Sequence, residues 1–252
     1  MHIPFYLGTM EAFVTAYTQS DILGKLIILG LVSLSIICWV VLIQKIWMTR
    51  QIENISQSFH KAYLINKERL LHLDLNELPK PKNRSIPHPY AEIFSDLKSK
   101  TIEVLNKNLH FSTQRTGEQK AEAYLSPDDL GIVESFVLTT ISAQVKRLEK
   151  NLFILSTIIT LAPFLGLLGT VWGILITFSE LGNGASASSN MAVLGGLSTA
   201  LATTVMGLII AIPALVSYNY LKNSVKNYSS SMEDFLYQLL SSVELHYRKV
   251  DV

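Results

Sequence analysis

"TLAPFLGLLGTVWGILITF", Thr160 to Phe178, holds no Asp, Glu, His, Lys or Arg. At 1.5 Å per residue its length nearly matches the roughly 30 Å hydrocarbon layer of a bilayer. It also carries Pro163, three glycines (Gly166, Gly169 and Gly173) and the hydroxyls of Thr170 and Thr177. It is apolar enough for a membrane, yet notched with small and hydroxyl-bearing residues. Its uncharged surroundings extend from Asn151 to Ser179.

Two further apolar runs lie outward from this one. Leu26 to Gln44 is uncharged, with Lys25 at one edge and Lys45 and Trp47 at the other. Leu181 to Leu221 is interrupted early by "GNGASASSN", Gly182 to Asn190, a polar Gly/Ser stretch that reads as a hairpin loop. The pattern predicts an all-α integral membrane protein with three transmembrane helices: Leu23–Gln44, Leu152–Phe178 and Met191–Tyr218. Composition agrees. Of 252 residues, 49% are hydrophobic and 16% charged, and the mean hydropathy is +0.31, too apolar for an ordinary soluble domain. A formal net charge of +1 gives no reason to expect a nucleic-acid partner.

The Lys/Arg distribution predicts the orientation. Residues 1–22 and 181–190 have none, the segment from Lys45 to Lys150 has sixteen, and the tail after Leu221 has four. By the positive-inside rule the N-terminus is outside and the C-terminus cytoplasmic. The expected segments are an outer N-terminal stretch (1–22), a first span (23–44), a helical cytoplasmic domain (45–150), a second span (151–179), an outer hairpin (180–190), a third span (191–218) and a cytoplasmic helical tail (219–252). The N-terminus lacks a basic n-region and a small-residue cleavage site, so the first span is expected to remain as an anchor. "LPKPKNRSIPHPY", Leu78 to Tyr90, has four prolines and reads as a linker. Ser126 is an N-cap candidate, with Pro127 at the first helical position and Asp128 and Asp129 in the first turn. With no stop signal recognised after it, the expectation is one helix from Pro127 to Phe178, about 80 Å long. The third span continues at helical spacing through the tail. Helices two and three thus project beyond the bilayer into the cytoplasm. Their apolar stripes call for partners, which self-association into a homo-oligomeric ring supplies.

Ala162, Gly166, Gly169, Thr170 and Gly173 recur at steps of three and four and form one small-residue face. Gly196, Ala200, Thr203, Gly207 and Ala211 form another on span three. Such faces let helix backbones approach closely. Pro163 and Pro213 each remove a backbone donor, freeing the carbonyl of Ile159 or Ile209, and introduce kinks. Thr170, Thr199, Thr203 and Thr204 can return hydrogen bonds to the carbonyls of Gly166, Gly195, Thr199 and Ala200, or can line a narrow, sparsely hydrated passage. The interiors of spans two and three contain no titratable group, and Glu180 stands at the outer mouth. Membrane-embedded carboxylates are the usual proton relay, so an ion path through this chain needs a carboxylate from a partner. The single cysteine, Cys38, and six scattered histidines give no metal-ligand pattern, and no cofactor is expected. No nucleophile–base, paired-carboxylate or metal set occupies the spans, so no enzymatic activity is expected. An ion-driven motor subunit and a structural membrane scaffold both remain open on these grounds.

"APFLGLLGTVWGI" (Ala162–Ile174), a polar hairpin, and then "GGLSTALATTVMGLIIAIPALVSYN" (Gly195–Asn219) together resemble the TolQ/ExbB/MotA proton-channel family. The first span and the tail from "YNYLKNSV" look more like the TolQ branch than the ExbB branch. The resemblance implies a homopentamer in the bacterial inner membrane. It encloses the single helices of two TolR/ExbD-like subunits, each with one essential aspartate. Proton flow past that aspartate drives motion, which passes to a TolA- or TonB-like envelope-spanning protein. The family's channel threonines fall on Thr170 and Thr204. Where TolQ and ExbB commonly carry a glutamate, in "G-I-x-E-A-L", this chain reads "GLSTAL" with Thr199.

Overall fold

The computed structural model describes residues 14, 17–18, 20–65, 87–116, 124–182 and 189–248. Most of the expected outer N-terminal segment, the proline-rich linker up to residue 86 and hairpin residues 183–188 lie outside the described residues, as does the side chain of Glu180. Among the described residues five helices follow in order: α1 (Ile22–Ile65), α2 (Pro89–Thr116), α3 (Pro127–Glu149), α4 (Leu152–Gly182) and α5 (Ser189–Tyr247). Among the described residues there are no strands, only an isolated bridge between Leu125 and Arg248. α1, α4 and α5 are long and apolar enough to cross a membrane. α5 has 59 residues, about 88 Å at the standard rise, far more than one bilayer crossing.

The expected continuous helix from Pro127 to Phe178 is instead two helices. α3 ends at Lys150, whose N–H donates to the Lys146 carbonyl at 3.1 Å. Asn151 then takes φ 70°, and the Ile154 N–H donates to its carbonyl as α4 begins. Asn enters the left-handed region more readily than other side-chain-bearing residues and commonly closes helices there. α1 departs the other way. It continues as one helix for 21 residues past Gln44, where the sequence suggested a separate cytoplasmic segment.

The chain divides into two compact units. The first is Met1–Lys45 with Asn151–Leu221, and the second Ile46–Lys150 with Lys222–Val252. In the second unit an aromatic core forms around Phe59, whose ring meets His88, Phe94 and Phe235 edge-on at 5.1, 6.1 and 6.2 Å. Tyr90 stacks on Phe235 at 4.5 Å. Phenols packed in this core keep their hydroxyls bonded: buried Tyr63 to Ser242 at 3.0 Å, buried Tyr90 to the Ser231 carbonyl at 3.1 Å, and half-buried Tyr228 to Ser56. Burial pushes the Tyr228 phenol well above its ordinary value. α2 and α3 run antiparallel along a polar ladder. Glu92 accepts from Gln144 and Arg147, Asp96 from Thr140 at 2.7 Å, and Asp129 from Asn108 at 2.9 Å. The expected N-cap at Ser126 is present as a full capping box with Asp129.

Candidate functional site

In the first unit the two small-residue faces lie on each other. α4 and α5 run antiparallel, and their backbones touch where glycine leaves room. A Cβ on Gly166 would stand 2.9 Å from both the Thr203 carbonyl oxygen and the Thr204 Cα, and one on Gly207 would meet the Ala162 carbonyl oxygen at 2.5 Å. One turn along, a Cβ on Gly169 would lie 2.8 Å from Thr203 Cβ; beyond that, one on Gly173 would lie 2.7 Å from Ala200 Cβ, and one on Gly196 would reach Thr177 Oγ1. The seam is therefore made within one chain. Pro163 is half-buried in α4 and Pro213 exposed in α5, and both helices run on through their prolines.

The threonines take different roles. Thr170 is buried and donates to the Leu167 carbonyl at 2.7 Å, three residues back, rather than to Gly166. Thr203, only 3% exposed, donates to the Ala200 carbonyl at 2.7 Å rather than to Thr199. It also reaches across the seam to the Gly166 carbonyl at 3.2 Å. Thr199 is half-buried one turn away on α5. Thr204 is the exception. Its Oγ1 is buried and has no hydrogen-bond partner, where the sequence suggested the Ala200 carbonyl. Thr177 is buried too and bonds the Gly173 carbonyl at 2.8 Å. Hydroxyls gathered on glycine-thinned helices can solvate an ion or hydrogen-bond a carboxylate. Without a titratable group they cannot carry protons alone. Among the described residues no cluster of three or more His, Cys, Asp or Glu is placed to hold a metal.

Asp21 belongs to none of the sequence motifs. It directly precedes α1, and its Oδ1 accepts the Gly24 N–H at 2.9 Å. Its Oδ2 accepts the indole N–H of Trp172, in the middle of α4, also at 2.9 Å. Burial raises the Asp21 carboxyl, but the bonds from Trp172 and from the backbone of Gly24 and Leu23 outweigh it, leaving the group below the usual carboxylate range. Two signals pointed here: an N-cap residue before an apolar run, and an indole in an apolar helix that needs an acceptor.

A Pseudomonas putida protein, "Biopolymer transport protein ExbB", is 29% identical over 228 residues, 89% of this chain and 61% of its own length. The Aquifex aeolicus protein of the same name is 43% identical over 81 residues, covering 32% of this chain and 54% of its own. The Haemophilus influenzae "Tol-Pal system protein TolQ" is 26% identical over 228 residues, 88% of this chain and 91% of that protein. This chain thus spans less than two thirds of the Pseudomonas and Aquifex relatives. The MotA/TolQ/ExbB proton channel family matches residues 112–234, from the end of α2 through the α4–α5 seam with its threonines, so the chain carries a domain of that family.

Proposed function

We propose that this chain is a TolQ-like subunit of an inner-membrane motor driven by the proton-motive force. It has no enzymatic chemistry of its own. A TolR-like single-span partner supplies the essential aspartate, and the motion energises a TolA-like envelope-spanning protein that maintains the outer membrane. Self-association into a pentamer, an external N-terminus and a cytoplasmic C-terminus belong to this reading. The observation that carries it is Thr204. A buried hydroxyl left without a partner costs about 1–3 kcal/mol. The residue itself is half-buried, so a turn of its side chain would offer the hydroxyl to a group arriving from outside the chain, such as a partner carboxylate or an ion. Near-equal coverage of this chain and of the Haemophilus TolQ (88% and 91%) supports the TolQ branch.

An ExbB-like role, energising a TonB-like protein for uptake, has its own support in the 29% identity to a Salmonella typhimurium ExbB over 231 residues. Complementation separates the two. Rescue of detergent sensitivity in a strain lacking TolQ supports the first, and rescue of siderophore uptake in a strain lacking ExbB supports the second.

The channel reading is tested by proton flux into liposomes holding the chain with its co-purified single-span partner. Thr204→Val removes the unpartnered hydroxyl at nearly constant volume. It should raise thermal stability, by up to about 1 kcal/mol, while abolishing flux. Thr204→Ser should retain partial flux, and Thr170→Ala should lose it with the complex intact. If Thr204→Val and Thr170→Ala both conduct like the parent, the threonines only pack helices and the channel reading of the seam fails.

A further inference from the structure

Among the described residues, α5 and α1 both pack on α4. On one side α5 meets Gly166, Gly169 and Gly173. The contacts are close but nearly featureless, and the Thr203 hydroxyl shared with the Gly166 carbonyl is a directional bond across them. On another side lies α1. Leu165 Cδ1 lies 4.0 Å from where a Gly30 Cβ would be, and seven residues on, along the same stripe of α4, Trp172 donates to Asp21. At about 100° per residue, the Leu165/Trp172 stripe stands roughly a quarter turn from the glycine seam, and Thr170 stands on the side of α4 away from Trp172. The glycine notches limit how far α4 can turn about its own axis, and within that limit a charge-assisted bond at the end of a rigid indole, a quarter turn away, fixes the setting. The carboxylate is itself fixed. Its other oxygen caps α1 at Gly24, where the helix dipole favours a negative charge.

We infer that Asp21 is a positioning residue for ion passage: through its bond to Trp172 it sets the rotation of α4, and with it the place of Thr170. The functional half of this inference rests on the proposed channel role, while the positional half stands on the geometry. Asn at position 21 has one carbonyl oxygen and no charge, so it cannot serve both Gly24 and Trp172 as the carboxylate does.

The test uses the full chain with its co-purified partner in nanodiscs, with Trp39→Phe and Trp47→Phe leaving Trp172 as the sole indole. Asp21→Asn should move the indole N–H resonance upfield and shift the Thr170 methyl resonance. Proton flux should fall about tenfold, the size of one charge-assisted hydrogen bond, with the oligomer unchanged. In the otherwise unaltered chain, Trp172→Phe, which spares the cap, should shift the same methyl and lower flux equally, and the double variant should be no worse than either. An unmoved indole resonance in Asp21→Asn overturns the bond. A moved indole with Thr170 and flux unchanged reduces Asp21 to a helix cap and overturns the inference. If the parent complex carries no flux, the channel reading fails, while the two resonances still decide whether Asp21 positions Thr170. Should Asp21→Asn not assemble, the Thr170 methyl in Trp172→Phe decides the point.

Discussion

Gly207 and Gly131 look alike in sequence, each inside a helical pattern, but they carry opposite expectations. A Cβ on Gly207 would press on the Ala162 carbonyl oxygen, and Gly166 Cα lies close by at 3.4 Å. Backbone cannot step aside as a flexible side chain can, so Gly207→Ala should destabilise the chain by about 1–3 kcal/mol, as overpacking does. A Cβ on Gly131 would meet nothing within 4 Å, and Gly131→Ala should stabilise by up to about 1 kcal/mol, the helix-propensity difference. Thermal unfolding in detergent checks both. If Gly207→Ala melts no lower than the parent, the α4–α5 approach is looser than the structure has it. Residue-level geometry also sorts threonines that share one signature in sequence. Thr203 ties the two helices together, Thr170 closes on its own helix, and Thr204 is left unpaired.

Among the elements, α3 shows local chemistry acting alone. Ser126, Pro127 and Asp129 make a capping box in which Asp129 N–H donates to Ser126 Oγ at 3.2 Å and Ser126 N–H donates to Asp129 Oδ2 at 2.9 Å. Ser126→Ala should cost about 1 kcal/mol, read as roughly fivefold faster hydrogen exchange across the first turn of α3. Partial burial raises the Asp129 carboxyl, but the bonds from Ser126 and Asn108 and the nearby Lys107 outweigh it, so it lies below its ordinary value of 3.8. With the folded value depressed, the carboxylate's stabilisation is fully present above the ordinary aspartate range. It is lost as pH falls through the lowered value. Exchange protection of that turn should therefore fade only in acid below about pH 4, and fading near neutrality would contradict the cap. At the other end of α3, Asn151 stops the helix by adopting φ 70°. A lone Asn between strong helix formers is a weak stop signal, because Asn is also tolerated mid-helix. That is why the sequence suggested one long helix there.

For the whole molecule, the basic asymmetry predicts which side each end faces. Gly182 and Gly131 are both open to substitution. On a Cys38→Ser background, Gly182→Cys should react with a membrane-impermeant thiol reagent in cells with permeabilised outer membranes, and Gly131→Cys should not. The reverse pattern would invert the proposed topology. Apolar run length was enough to specify three helices long and apolar enough to cross a membrane among the described residues, because a bilayer forces backbone polar groups to pair within each segment. The small faces of α4 and α5 were equally legible, since a helical repeat places residues three and four apart on one side. Tertiary structure alone decided that these faces meet each other within the chain, that Thr204 is left unpaired, and that Asp21 reaches Trp172. Periodicity states which residues share a face, but not which other face covers it. A hydrogen bond between residues 151 positions apart depends on how helices pack, which no local pattern encodes.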